Sequence, residues 1–98
     1  MSSRADYEAV VRGIGFISAS LLAGGADEES VARLAVAARN SLKEQYRAGL
    51  PAPILDAIHA RNRKLYGNAL GPTAEQQFER YGSWRAVIDA AARPANLA

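Results

Sequence analysis

Apolar residues along this chain recur at three- and four-residue spacing, and nowhere do apolar and polar residues alternate over the length of a strand. The pattern predicts five helical segments and an all-α fold. The first covers residues 4–22, opened by Ser3 with Asp6 three residues on, and turns Tyr7, Val10, Val11, Ile14, Ile17 and Leu21 to one face. Gly13 and Gly15 each cost about 1 kcal/mol relative to alanine inside a helix, so they mark a kink or the close approach of another helix. Gly24 and Gly25 end the segment. The second helix starts at Asp27 as N-cap, with Glu28 and Glu29 in the first turn, where the helix dipole favours anions. Its stripe reads Val31, Leu34, Ala35, Ala38, Leu42 and Tyr46. Lys43 and Arg47 read as last-turn cations, and Gly49 and Pro51 stop the helix.

The third helix begins near Pro53 and turns Ile54, Leu55, Ile58 and Leu65 inward. Gly67 and Asn68 end it, and a loop continues over residues 68–72. Thr73 with Gln76 forms a capping box for a short fourth helix, whose apolar contacts are Phe78 and Tyr81. Gly82 suits a left-handed C-cap, and Ser83 caps a fifth helix with Trp84, Val87, Ile88 and Ala91 on its inner face and Pro94 at its end. The expected architecture is one compact domain over residues 1–98, of four to five helices. The second and third form an antiparallel pair, and the Trp84 corner closes one end.

Composition narrows the chemistry. Apolar residues make up 49% of the chain, which argues against intrinsic disorder. The absence of cysteine removes disulfide frameworks and thiolate metal sites, and a single histidine cannot build a multi-histidine zinc site. No metal and no cofactor is expected. The formal charge is +2, and all of that excess lies in residues 51–98, since residues 1–50 carry six cations and six anions. The longest uncharged stretch, residues 13–26, is 14 residues long, short of the ~20 that a membrane span needs. Asp6 and Glu8 precede the apolar run, the wrong order for a secretory signal. The reading is a chain at home in a reducing cytoplasm, its own or that of a cell into which it is delivered.

The densest polar cluster is His59, Arg61, Asn62, Arg63, Lys64 and Tyr66. One reading is an anion or phosphate site, with arginines on the phosphate and His59 as acid or base. The catalytic candidates are His59, Arg61, Asn62, Lys64 and Tyr66. The other reading is a solvated helix end whose cations complement the dipole. Asn62 stands apart, because it falls between Ile58 and Leu65 on the inner stripe. A buried amide needs partners, which points to a fixed contact with the 68–72 loop. The arginine–histidine spacing of many small helical ribonucleases is absent around His59. The triplet Ala38-Arg39-Asn40 recurs as Ala60-Arg61-Asn62 without further register, so chance accounts for it.

Tyr81-Gly82-Ser83-Trp84 is the sharpest local motif. The unit around it reads as a helix–turn–helix that touches nucleic acid or as a plain packing corner. Arg85 alone qualifies as an outward reading residue, and Asp89 one turn on opposes phosphates. Residues 71–92 resemble the homing-endonuclease-associated helical repeats, with Pro72-Thr73, Tyr81-Gly82-Ser83-Trp84 and Ala90-Ala91, in one copy and with Ala92 where the repeat has glycine. That resemblance implies DNA binding.

Residues 37–93 resemble the C-terminal domains of bacterial polymorphic toxins of the Rhs-type and type VI secretion effectors. The matching pieces are Arg39-Asn40-Ser41-Leu42-Lys43 with Tyr46-Arg47, Arg61-Asn62 with Lys64-Leu65-Tyr66-Gly67-Asn68, Leu70-Gly71-Pro72-Thr73, and Ile88-Asp89-Ala90-Ala91-Ala92-Arg93. This resemblance implies delivery into a rival cell and an immunity protein as partner. Three functions are therefore expected. The first is a toxin or effector domain. The second is a nucleic-acid-binding module that uses Arg61, Arg63, Lys64 and Arg85. The third is an interaction or assembly domain whose first helix meets a protein partner, a second copy or, through residues 13–26, a membrane.

Overall fold

The computed structural model describes residues 4–93. It contains α1 (Arg4–Ala23), α2 (Glu28–Arg47), α3 (Ala52–Tyr66), α4 (Ala74–Tyr81) and α5 (Trp84–Ala91), and no strand among the described residues. The all-α single domain is therefore as expected. Ser3 and Pro94, read as a cap and a stop, lie outside the described residues.

Local chemistry sets the helix ends. The Asp27 carboxylate accepts from Ser30 N at 2.9 Å and from Ser30 Oγ at 3.0 Å, bonds that hold its pKa below the ordinary carboxylate value. Thr73 Oγ1 accepts from Gln76 N at 3.2 Å while Gln76 Oε1 accepts from Thr73 N at 2.8 Å, which completes the capping box. Gly82 turns the chain with φ of 86°, a conformation strained for any other residue, and Ser83 Oγ accepts from Ala86 N to start α5.

Helix α2 is the spine, with α1, α4 and α5 packed against it. The core joins Val31, Ala32, Val36, Ala74, Val87 and Ile88, flanked by Leu22, Tyr81 and Trp84. A second cluster of Ile14, Ala35 and Ala91 lies beside Leu42. The Trp84 ring centroid sits 4.4 Å from that of Phe78, and the Arg33 guanidinium lies 5.3 Å from the Trp84 ring. Gly15 provides the close approach read from the sequence, since a Cβ there falls 3.1 Å from Ala92 Cβ; Gly13 faces open space.

Three packing expectations are corrected. On α1 the buried face is Tyr7, Val11, Ile14 and Ser18, while Val10, Ile17 and Leu21 are exposed, as is Phe16. On α2 the buried face is Val31, Ala32, Ala35, Val36, Arg39, Lys43 and Arg47, whereas Leu34 and Ala38 are exposed. Small residues on that face let α1 and α5 approach closely, and the bulkier Leu34 is left outside. Finally, α3 buries no residue fully and does not pack along α2 as an antiparallel partner; Ile54 and Leu65 are exposed. Polar ties hold it instead, and a cleft occupies the gap. Among the described residues no helix is long and apolar enough to cross a membrane.

Candidate functional site

The buried stripe of α2 changes character along its length. Ala32 and Val36 continue, at spacings of three and four, into Arg39, Lys43 and Arg47, all buried. Their long apolar stems cover core surface on the way to their charged heads. Arg39 is fully engaged in structure. Its Nε donates to Tyr7 Oη at 3.0 Å, and its Nη1 donates to the carbonyls of Ala91 and Arg93, each at 2.7 Å. It thereby satisfies carbonyls at the α5 C-terminus, where the dipole favours a cation.

Lys43, one turn on, differs. No described carboxylate lies within salt-bridge distance of it. Burial first, and then the charges of Arg39 and Arg47, hold its pKa down to about 8. Arg47 Nη1 is 3.9 Å from Glu44 Oε1.

Lys43 and Arg47 form one wall of a cleft of about 220 Å³. Helix α3 supplies Arg61, Asn62, Leu65 and Tyr66; the loop supplies Leu70, Gly71 and Pro72; α4 supplies Gln77, Arg80 and Tyr81. Four cations, two amides and two phenols line it, with no carboxylate. Such a lining has the chemistry to hold an anion: guanidinium forks give paired donors, and the ammonium adds a point charge.

The frame around the cleft is tied by hydrogen bonds. Asn62 Nδ2 donates to Ala69 O at 2.9 Å, the loop contact expected from its place on the stripe. Asn40 Nδ2 donates to Pro72 O at 3.1 Å, so the asparagine of each repeated triplet grips the same loop. Asn68 Oδ1 accepts from Leu70 N and Gly71 N at 2.9 and 3.0 Å, and Gln76 Nε2 donates to Tyr66 O at 3.1 Å. Gly71, with φ of 126°, is buried beneath Asn40, where a side chain would be strained. The donors on α3 therefore stand on a wall braced from both sides.

The structure sorts the residues singled out in the sequence. Arg61, Asn62 and Tyr66 come together in the cleft. His59 turns to α2, where its Nε2 lies 3.0 Å from Glu44 Oε1, and it does not line the cleft. Lys64 and Arg63 are exposed and outside it. Arg85 pairs with Glu28 at 3.2 Å near the other end of α2, about 30 Å from Arg47 at the ordinary helical rise, and does not line the cleft. Lys43, Arg47, Gln77, Arg80 and Tyr81 join the site unforeseen. The signal for the first two was present in the sequence, since the spacing from Ala32 and Val36 runs straight into them. Among the described residues, no group of three metal-ligating side chains could hold a metal ion. No family model, curated protein or solved structure matches the chain.

Proposed function

We propose that this protein binds a phosphate-bearing ligand in the cleft between α2, α3 and α4. The observation that carries the reading is a concave site lined by Lys43, Arg47, Arg61 and Arg80 with no carboxylate among its walls. One of those cations, Lys43, is buried on the core-facing stripe of a helix with no described carboxylate in salt-bridge range, where charge is costly without a compensating anion. The test is a titration with inorganic phosphate at low ionic strength, monitored by amide chemical shifts. Shifts clustered at residues 43, 47, 61–66 and 77–81, weakening as salt is added, support the reading. The absence of localised shifts at millimolar phosphate overturns it.

A second proposal rests on a specific convergence. Of the residues that carry the resemblance to polymorphic-toxin C-terminal domains, Lys43, Arg47, Arg61, Asn62, Leu65, Tyr66, Leu70, Gly71 and Pro72 all line this one cleft. An effector domain acting through this site would engage phosphate groups of nucleotides or nucleic acid in the recipient cell, with an immunity protein covering the cleft. Expression in a bacterial cytoplasm tests it. The expected outcome is a growth defect that Lys43→Met relieves; unimpaired growth contradicts the toxin reading.

A further inference from the structure

A cleft that binds phosphate, the reading on which this proposal rests, need not distinguish a phosphate diester from a monoester. The placement of Lys43 does. It is buried at the boundary between the α2–α3–α4 cleft and a smaller recess under α5, with Gln77 and Tyr81 shared by both. The charged and titratable groups around it are Arg39 and Arg47 on its own helix, Arg61 and Tyr66 from α3, and Arg80 and Tyr81 from α4. From α5 only Val87, Ala90 and Ala91 face it, all apolar. Glu44, on the same helix, lies 3.9 Å from Arg47 and outside the cleft, and no carboxylate is among the cleft walls. Arg39 is held by Tyr7 and by two α5 carbonyls and is not free to turn outward. With Arg47 beside Glu44, a monoanion leaves the group of Lys43, Arg61 and Arg80 net positive, whereas a dianion compensates one more of them. The rest of the lining says what the phosphate is attached to. Leu65, Leu70 and Pro72, with the ring of Tyr66, offer apolar and aromatic surface beside the cations, while the Arg80 guanidinium lies 5.5 Å from the Tyr81 ring; the lining suits an organic group carried on the phosphate.

We infer that the cleft selects the dianion of an aromatic or nucleoside phosphate monoester over the corresponding diester, and that Lys43 supplies the charge that makes the difference. Binding is then linked to a proton. Burial and two neighbouring arginines hold Lys43 to a pKa of about 8, so in the free protein at pH 9 it is mostly neutral. A bound dianion favours the ammonium, and binding at that pH draws a proton from solution.

The test is calorimetry with adenosine 5′-monophosphate and with 3′,5′-cyclic adenosine monophosphate, which share a nucleoside and differ in phosphate charge. At pH 7 the monoester should bind about tenfold or more tightly than the cyclic diester, as one additional close charge contact predicts. At pH 9, in two buffers of different ionisation enthalpy, monoester binding should take up close to one proton. Lys43→Met should bring the two affinities together and abolish the uptake. Lys43→Arg should keep the preference while abolishing the uptake, and it retains the buried charge if the methionine variant repacks the helix. Equal affinities in the native protein, or a preference that survives Lys43→Met, overturn the inference and leave the phosphate reading intact. If neither nucleotide binds, the inference falls, and the inorganic phosphate titration alone decides the phosphate reading.

Discussion

Arg39 and Lys43 are neighbours on one stripe of one helix, both buried, and they occupy opposite situations. The guanidinium of Arg39 donates to a phenol, to the last carbonyl of α5 and to the Arg93 carbonyl just beyond it. The ammonium of Lys43 has no described carboxylate near it, and its neighbours are cations. The first arrangement is a structural bolt, because Nη1 meets carbonyls at and just beyond the end of α5 while Nε meets the Tyr7 phenol. The second is a buried cation with no described carboxylate in salt-bridge range. Between the two, the molecule stops being a core and becomes a site: α2 passes from alanines and valines, through a satisfied arginine, to cations that face a cleft.

The contrast is broken most severely at Arg39. Arg39→Met removes the donor to Tyr7 and to the Ala91 and Arg93 carbonyls, and should lower stability by about 3 kcal/mol in denaturant unfolding. A loss below about 1 kcal/mol would mean that solvent replaces those bonds at little cost.

Lys43→Met should act in the opposite direction, stabilising the free protein by about 1 kcal/mol at neutral pH, because a buried charge gives way to an apolar group of similar length. The pH dependence sharpens the contrast. Lys43 has its pKa lowered from the ordinary 10.5 to about 8. Between those values the unfolded chain holds a proton that the folded chain has released, so native stability rises with pH across this window. Below about pH 8 both states are protonated, and the full cost of burying the charge is present. Melting temperatures of the native protein and of Lys43→Met should therefore differ most below pH 8 and converge as pH rises towards 10.5.

Smaller effects are expected at the supports. Asn62→Ala leaves the Ala69 carbonyl without its side-chain donor and should cost about 1 kcal/mol, with ligand affinity falling in step as the loop loosens. Arg85→Ala removes an exposed pair with Glu28 and should change stability by less than about 0.5 kcal/mol, without altering anion binding. If Arg85→Ala weakened binding as much as Asn62→Ala, the site would not be confined to the cleft.

How far the sequence reveals this depends on the range of the interactions. The Thr73–Gln76 box, the Gly82 turn and the Ser83 cap act over a few residues, so their residue types alone specify them. Asn62 is legible for a related reason: an amide on an apolar stripe requires a partner, and the loop is only seven residues away. The periodicity places the stripe of α2 one residue away from the packed face. Leu34 looks like core because it is large, yet it is exposed; Leu42 and Tyr46 are half-buried at the edge, and the packed face uses Ala32, Ala35 and Val36, which allow helices to approach, and then the stems of cations. Once the stripe is rotated, Lys43 and Arg47 cease to be helix-end decoration and become a wall. The position of α3 cannot be read from its periodicity. Its half-apolar face meets a cleft and a loop rather than another helix, and its ties to α2, to residues 68–72 and to α4 run through His59, Asn62 and the Tyr66 carbonyl respectively. Arg80 and Tyr81 reach the site through the fold of the Trp84 corner, a tertiary fact with no local signature.

The most direct measurement is the titration of the Lys43 ammonium by NMR, with and without adenosine 5′-monophosphate. A midpoint near 8 is expected in the free protein, moving towards the ordinary lysine value when the nucleotide is bound. A midpoint near 10.5 in the free protein, unchanged by the nucleotide, would contradict a buried cation held in wait for an anion.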